Sequence, residues 1–238
     1  MSYENLAYYY DSMMDPQFYE DYLSFILDQC DFNNVLELGC GTGEISIALA
    51  RLNKEVYATD ISEDMLKVFV LKTMLRNLPI ENYRVDMTDF EIDEAMDLIL
   101  CLCDSINYIL DLNDVRKVFM NTYNALKKGG CFIFDIDSLY KMDVILKDYF
   151  EEEDDDFFFS WKVRNIESGY VEHHIEIIDE ENDQHFKEVH LQRTYHHSVY
   201  YKMLEEIGFT DIRLFSDFEE FKEECERIIF VCFKGGQQ

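Results

Sequence analysis

The sequence predicts an α/β fold in which a doubly wound, mainly parallel sheet carries a small antiparallel β insert. Two observations predict the sheet. Residues 35–38 form an apolar run, which is followed by glycines and then by a helical pattern. Residues 96–104 form the continuous apolar segment typical of a central parallel strand. A third observation predicts the insert, because residues 157–163, 169–178 and 186–195 are rich in aromatic and β-branched side chains.

The glycines after the first strand indicate a ligand site. Gly39, Gly41 and Gly43 stand at alternate positions, and apolar residues at helical spacing follow from position 45. Glycine permits positive φ and a close approach of the backbone to a ligand, and the first N–H groups of a helix favour an anionic group. A dinucleotide fingerprint requires a glycine where Glu44 stands, and a P-loop requires a lysine and a hydroxyl residue that do not follow Gly43.

The segment from Glu37 to Gly43 resembles motif I of the class I S-adenosylmethionine-dependent methyltransferases, in which an acid precedes G-x-G-x-G by two residues. The resemblance implies a Rossmann-like, seven-stranded methyltransferase sheet and S-adenosyl-L-methionine as the cofactor. It implies that Glu37 steadies the glycine loop and the methionine amino group. The loop itself, which contains Cys40, would admit the methionine part of the cofactor.

The strands that follow supply further cofactor contacts. Residues 56–60 predict a second strand that ends at Asp60, about 20 residues after the glycines, where doubly wound folds place an acid for ribose hydroxyls. Asp60 also fits the acidic start of the helix predicted from 62 to 76, and both roles are compatible. Residues 83–87 predict the third strand, and the resemblance implies that Asp86 and Met87 meet the adenine. The predicted contacts also include Ile61, Met65, Cys103 and Tyr10.

The remaining core elements lie on both sides of the insert. We predict a helix over residues 115–127, a glycine stop at 128–130, a fifth strand over 131–135, a helix over 199–207 and a closing hairpin of strands 211–215 and 227–233. The predicted domains are a cofactor-binding core, residues 1–137 plus 198–238, and a β cap, residues 138–197, which roofs the substrate side of the active site. At the N-terminus, Tyr10 and Asp11 resemble a lid over the cofactor.

The methyl acceptor is expected at the carboxyl end of the fourth strand. In open α/β sheets ligands bind at this edge, which places there the acceptor-side candidates Cys103, Asp104, Ser105, Asn107 and Tyr108. If the acceptor is an ammonium or a phenol, a base must remove its proton, and the candidates are Asp104, His190 and Tyr195. The resemblance of the segment 190–195 to the returning strand of such inserts also makes His190, Arg193 and Tyr195 candidate substrate contacts.

All six histidines lie within the insert, at positions 173, 174, 185, 190, 196 and 197. Neighbouring residues on a strand point to opposite faces, so each adjacent pair offers only one imidazole to a given pocket. We therefore predict no metal site. The seven cysteines are odd in number and lie mostly in apolar strands, which favours a reduced compartment over a disulfide framework.

The formal charge of −29 limits the classes of partner that the protein is expected to bind. It opposes binding to nucleic-acid phosphates and to anionic membrane surfaces, and it favours a small or cationic acceptor. The acidic run over residues 151–156 predicts a solvated loop, because like charges repel one another. No leader and no apolar run of membrane-spanning length is evident, so we expect a cytoplasmic monomer or homodimer.

The favoured function is therefore transfer of a methyl group from S-adenosyl-L-methionine to a nitrogen or oxygen of a small molecule. One alternative is an NAD-dependent oxidoreductase, which Glu44 disfavours. The other alternative is a protein that binds S-adenosylmethionine without turnover, against which the intact cofactor positions argue.

Overall fold

The computed structural model describes residues 6–92, 95–154 and 156–235. The α-helices are α1 (Tyr10–Met13), α2 (Pro16–Gln29), α3 (Glu44–Arg51), α4 (Glu63–Arg76), α5 (Leu112–Ala125) and α6 (His197–Ile207). The core strands are β1 (Asn34–Leu38), β2 (Glu55–Asp60), β3 (Glu81–Arg84), β4 (Met96–Cys101), β5 (Leu126–Asp137), β10 (Phe209–Ser216), β11 (Glu219–Glu220) and β12 (Arg227–Lys234). The insert contributes β6 (Phe150–Asp154), β7 (Phe158–Glu167), β8 (Tyr170–Asp179) and β9 (Gln184–Arg193).

The core is one sheet with the strand order β11-β10-β12-β5-β4-β1-β2-β3. The five strands from β5 to β3 are parallel, and β12 and β10 close the sheet in antiparallel pairing. The order reverses between β1 and β4. A doubly wound sheet binds its ligands at such a switch point, outside the carboxyl ends of the strands.

Side chains alternate between the two faces of the sheet, and each face is covered by helices. On one face, Val35 packs with buried residues of α2, α3 and α4, among them Phe25 and Phe69. On the other face, Leu36 packs with residues of α5 and α6, among them Phe119. A strand buried on both faces requires the continuous apolar run that β1 and β4 show.

The insert forms a separate antiparallel sheet with the order β6-β7-β8-β9. Asn107, which lies just after β4, fastens this sheet to the core. Its amide donates to the carbonyl oxygen of Arg193 at 2.8 Å, and its side-chain oxygen accepts from the backbone N–H of Asp137 at 2.8 Å. Asn107 is fully buried, so its role in this structure is to join two strands to the end of β4.

Several predicted boundaries were wrong. The insert has four strands where three were predicted, because residues 151–154 of the acidic run, together with Phe150, pair with β7 instead of forming a loop. Alternate side chains of an edge strand can reach solvent, so the pairing tolerates the charges. Asp155 of this run lies outside the described residues. In addition, α5 ends at Ala125 and β5 already begins at Leu126, before the predicted glycine stop.

The two-residue strand β11 extends the predicted seven-stranded sheet to eight strands. Within the described ranges, no helix combines the length and the apolar character needed to cross a membrane.

Candidate active site

A cleft of about 270 Å³ lies at the carboxyl ends of β1, β2 and β4. Every residue that the sequence predicted as a cofactor contact lines it: Tyr10, Glu37, Gly39, Cys40, Gly41, Gly43, Asp60, Ile61, Met65, Asp86, Met87 and Cys103. The structure therefore brings together residues from five separate stretches of the chain. Tyr19, Val85 and Leu102 also line the cleft, and sequence reasoning did not name them as contacts.

Asp60 ties the glycine loop to the end of β2. Its Oδ2 accepts the backbone N–H of Gly41 at 2.8 Å, and its Oδ1 accepts the backbone N–H of Ser62 at 2.8 Å. Burial raises the pKa of Asp60, although these backbone donors oppose the rise. Each carboxylate oxygen has a second lone pair, so Asp60 can hold the loop and still accept hydrogen bonds from a ligand in the cleft.

Two of the loop glycines serve different purposes. A Cβ built on Gly41, where φ is +55°, meets no atom within 4 Å, so this position faces open space in the cleft. A Cβ on Gly43, where φ is +84°, would lie 1.8 Å from Cδ2 of Phe69. Gly43 is thus required for α4 to pack against the loop, whereas Gly41 leaves room for a ligand.

Glu37 is buried beneath the loop at the end of β1. Its carboxylate accepts a hydrogen bond from the hydroxyl of Ser46 in α3, which joins the strand to the helix on the far side of the glycines. Burial raises the pKa of Glu37 to about 7, with a smaller contribution from the nearby charge of Asp60 and an opposing one from Ser46. A cation bound next to Glu37 would lower this pKa.

The acid predicted at the exit of the third strand lies in a turn at the edge of the cleft. Asp86 follows β3 and lines the cleft beside Met87. Its Oδ1 accepts from the backbone N–H of Thr88 at 2.9 Å and from the hydroxyl of Thr88 at 2.7 Å. The residue therefore forms the turn after the strand and at the same time faces the cleft.

The N-terminal segment, residues 6–14, contributes Tyr10 to the lining of the cleft. Asp11 accepts a hydrogen bond from the hydroxyl of Thr42 in the glycine loop. Lys72 of α4 pairs with Asp11 at 2.6 Å and with Glu44 as well. These contacts hold Tyr10 over the cleft, where burial raises the pKa of its hydroxyl well above the usual value.

The backbone after β4 adopts an uncommon conformation. Cys103 and Asp104 have φ values of +54° and +50°. Successive positive φ values in residues other than glycine cost energy and concentrate at functional sites. The Asp104 side chain contacts the insert through Gln192, whose amide donates to its Oδ2 at 2.6 Å, and contacts β12 of the core through Arg227, which lies 3.3 Å from its Oδ1.

Asp104 is ionised less readily than an ordinary aspartate. Its pKa is raised to about 7, because burial and the nearby charge of Asp137 together outweigh the opposing effects of Lys141 and Arg227. Arg227 also pairs with the buried Asp135 at 2.7 Å, and the Asp135 side chain accepts the backbone N–H of Asp104 at 2.9 Å. A carboxyl group with a pKa near 7 is suited to take up and release protons at neutral pH.

A second cavity, of about 420 Å³, lies between the insert and the N-terminal segment. Tyr10, Asp104 and Tyr108 line both cavities, so the two meet at these side chains. The acidic side chains of the second cavity are Asp104, Asp137, Glu151, Glu153 and Asp156, and its lining also contains Lys141 and the imidazoles of His173 and His190. Its aromatic side chains include Phe157, Phe159 and Trp161. Carboxylates and aromatic faces together favour a cationic ligand.

The three predicted catalytic residues do not all reach this junction. Asp104 lies at it, and His190 lines the second cavity, where its Nε2 lies 3.1 Å from Oε2 of Glu188. Tyr195 lines neither cavity, because its hydroxyl is directed to the carbonyl oxygen of Leu110 at 3.2 Å. Arg193, predicted as a substrate contact, instead pairs with Glu167 at 2.8 Å.

The histidines divide between the faces of the insert as strand alternation predicts. His173 is buried and lines the cavity, whereas its neighbour His174 is exposed and lies 3.1 Å from Glu172. At the surface, His196, His197 and Glu223 bring their ligand atoms within 4.8 Å of one another. The absence of a metal site therefore stays a prediction.

Comparison with known proteins identifies the family. A protein of Geobacillus sp. (strain WCH70) that bears the name of a methyltransferase is 33% identical over 247 residues, which cover 98% of this chain and 100% of that protein. The chain belongs to the S-adenosylmethionine-dependent methyltransferases. A family model described as a methyltransferase domain matches residues 35–130, which contain the glycine loop, Asp60 and Asp104.

Further similarities extend over the whole methyltransferase. The crystal structure of an S-adenosylmethionine-dependent methyltransferase from Clostridium acetobutylicum ATCC 824 has 31% identity and a TM-score of 0.87, and the match covers 98% of this chain and 99% of that one. The glycine/sarcosine N-methyltransferase of Aphanothece halophytica is 28% identical over 78% of this chain and 69% of that protein.

The cleft fits the cofactor of this family, S-adenosylmethionine. The open space at Gly41 leaves room for the backbone to approach a ligand, Asp60 retains acceptor lone pairs for hydroxyl groups, and Met87 and Val85 supply apolar surface for a ring. The NAD-dependent oxidoreductase considered above is set aside, since the chain's relatives are methyltransferases.

Proposed function

We propose that this methyltransferase transfers a methyl group to a nitrogen of a small cationic molecule that binds in the second cavity. The observation that carries the proposal is the meeting of the two cavities at Tyr10, Asp104 and Tyr108. A cofactor in the first cavity and an acceptor in the second would approach each other only there. The core, residues 1–137 plus 198–238, then binds the cofactor, and the insert, residues 138–197, supplies the acceptor side.

The chemistry of the second cavity supports an amine as the acceptor. Five of its lining side chains are acidic and one is a lysine, and that Lys141 already pairs with Asp137 at 2.9 Å. Arg227 also lies beside Asp104, so an ammonium would gain from the carboxylates in excess of these two cations and from the aromatic faces of Phe157, Phe159 and Trp161. The N-methyltransferase named among the relatives acts on glycine and sarcosine, which are also amines; an oxygen acceptor is the second candidate.

The residues at the junction have distinct tasks in this mechanism. S-adenosylmethionine, when bound, supplies a methyl group that its sulfonium charge has already activated. Asp104 binds the ammonium and takes its proton, which exposes the nitrogen lone pair, and the pKa near 7 matches this task. His190 is a second candidate base. Tyr10 and Tyr108 exclude water and hold the nitrogen in line.

A combined binding and turnover experiment tests this function. Calorimetry with S-adenosylhomocysteine should show binding that is lost in Asp60→Ala. Transfer of labelled methyl groups from S-adenosylmethionine should then occur to members of a panel of small amines, and Asp104→Asn should lower the rate by about 10²-fold or more. Asp28→Asn, at an exposed position of α2, is the matched control.

Each outcome has a definite meaning. Transfer to phenols or alcohols but not to amines would reject the nitrogen acceptor and keep the methyltransferase. Binding of S-adenosylhomocysteine without transfer to any acceptor would favour the alternative interpretation of the sequence, a protein that binds S-adenosylmethionine but does not catalyse methyl transfer. A cytoplasmic location is part of the proposal, and it is consistent with the seven cysteines, all of which are free thiols.

A further inference from the structure

Three polar side chains of the insert lie in a diagonal row that ends at Asp104. Trp161 lies opposite Ile175 in the pairing of β7 with β8, and His173 lies opposite His190 in the pairing of β8 with β9. Residues two apart on a strand share a face, and diagonal neighbours on adjacent strands lie within reach of long side chains. Trp161, His173 and Gln192 therefore point to the same side, and all three line the second cavity.

The first contact of the row determines where His173 carries its proton. The indole N–H of Trp161 donates to Nδ1 of His173 at 3.0 Å. An indole nitrogen only donates, so Nδ1 must be the acceptor atom and the proton of the neutral ring must be on Nε2. Burial lowers the pKa of His173 to about 4, so the neutral form prevails at physiological pH.

The last contact determines how the Gln192 amide is oriented. Its Nε2 donates to Oδ2 of Asp104 at 2.6 Å, so the carboxamide oxygen is turned away from Asp104 and remains to accept. Nε2 of His173 is buried and, in the part of the chain that the structure describes, meets no partner in hydrogen-bond geometry. Gln192 is nevertheless close enough to favour the charged form of His173. A small rotation of either side chain would satisfy a buried donor that is otherwise costly to leave unpaired.

We propose that Trp161, His173 and Gln192 form one hydrogen-bonded chain through which the insert positions Asp104. The Nε2–H of His173 donates to the Gln192 oxygen, and the Gln192 amide donates in turn to the carboxylate. The inference rests on the proposed function, in which Asp104 takes the proton of the acceptor. His173 and Trp161 are positioning residues, because they act on the reaction only through Gln192 and Asp104.

The hydrogen-bonded chain stabilises the ionised carboxylate, as Lys141 and Arg227 do, whereas Asp135 and Asp137 oppose ionisation. The charged groups that act on Asp104 from the core strands and from the segment after β5 are Asp135, Asp137, Lys141 and Arg227. The groups that act on His173 are Asp137, Lys141 and His190. A hydrogen bond donated to a carboxylate lowers its pKa, so breaking the chain should raise the pKa of Asp104 while these surrounding charges stay unchanged.

The test measures the titration of Asp104 directly, by carboxyl ¹³C NMR on the full chain without cofactor or acceptor. We expect Gln192→Leu to raise the Asp104 midpoint by about one pH unit. His173→Phe should shift it in the same direction, and His173→Gln, which keeps a donor near the position of Nε2, should restore it toward the wild-type value. The control His174→Phe, on the outward face of the same strand, should leave it unchanged.

Two results would overturn the chain. One is a rise in the midpoint for Gln192→Leu together with a wild-type midpoint for His173→Phe, since the chain would then stop at Gln192. The other is obtained on the wild-type protein and does not depend on a variant that folds: ¹⁵N NMR that finds the His173 proton on Nδ1. Neither measurement involves methyl transfer. If they overturned the hydrogen-bonded chain while Asp104→Asn still lowered turnover, the proposed function would stand.

Once an acceptor is found, the pH profile of kcat tests whether the hydrogen-bonded chain contributes to catalysis. The acidic limb of the kcat profile should move to higher pH in His173→Phe by the shift that NMR records for Asp104. A uniform decrease in kcat at every pH would show that His173 has only a structural role, and the positioning role would be abandoned.

Discussion

Two glycines of the glycine loop have different roles, Gly43 in folding and Gly41 in binding, and alanine substitutions distinguish these roles. Gly41→Ala and Gly43→Ala each place a Cβ on backbone with positive φ, +55° and +84°, at a cost of about 1–2 kcal/mol. The Cβ at Gly43 would in addition lie 1.8 Å from Cδ2 of the buried Phe69. Such overpacking adds about 1–3 kcal/mol, so Gly43→Ala should lower the free energy of unfolding by about 2–5 kcal/mol in total.

Urea unfolding and calorimetry with S-adenosylhomocysteine measure the two effects. Gly41→Ala should lower the free energy of unfolding by only about 1–2 kcal/mol, yet weaken binding at least about tenfold because its Cβ projects into the cleft. In a Phe69→Ala background the added cost of Gly43→Ala should fall to about 1–2 kcal/mol, since the clash is gone. Equal destabilisation by the two substitutions, or wild-type affinity in Gly41→Ala, would refute the division of roles.

Three further predictions concern charged groups. Because the folded pKa of Glu37 lies near 7, above the unfolded value of 4.5, the free energy of unfolding of the apo protein should fall as pH rises through that range. S-adenosylhomocysteine, whose ammonium favours ionised Glu37, should bind about tenfold more tightly at about pH 8 than at about pH 6 by calorimetry; a Glu37→Gln variant that keeps this dependence would contradict the assignment. Arg227→Met should lower the free energy of unfolding in urea by about 3–5 kcal/mol, because it removes the positive partner of Asp104 and Asp135. The loss should be smaller at about pH 6 than at about pH 8, where the two aspartates are ionised. Equal losses at the two pH values would exclude that cause. Lys72→Met should speed hydrogen exchange in residues 6–14, because the pair with Asp11 is lost; exchange as slow as in the control Lys67→Met, on the same helix, would show that other contacts hold the segment.

The cofactor side of the site was predictable because its residues follow strand ends in a fixed pattern. An apolar strand, alternate glycines and an acid at the end of the next strand place Gly41 and Asp60 in contact before any tertiary information is needed. Tyr19 was missed for the opposite reason. It lies on α2, whose helical pattern is that of an ordinary packing helix, and only the return of the chain over the sheet brings it to the cleft.

The insert was predicted less well because its strands depend on tertiary pairing. The run of acids at 151–154 has no intrinsic preference for a strand, and its pairing with residues 158–161 of β7 overrides its charge. The returning segment was predicted to bring His190 and Tyr195 to the substrate together. These two residues are five positions apart, so strand alternation would place them on opposite faces, and β9 moreover ends at Arg193, before Tyr195.

The N-terminal segment has a consequence for the order in which the molecule assembles. The backbone N–H of Leu6 donates to Glu188 at 3.2 Å and the Tyr9 hydroxyl donates to Asp179 at 2.8 Å, across 182 and 170 positions of the chain. Neither contact can form until β8 and β9 are in place, so we expect this segment to dock last in folding. The segment also makes apolar contacts, since Leu6 and Ala7 are buried and the Tyr9 ring packs against Phe157 and Phe186 of the insert. Docking of this segment thus completes the lining of the cleft at Tyr10 only after both sheets have formed.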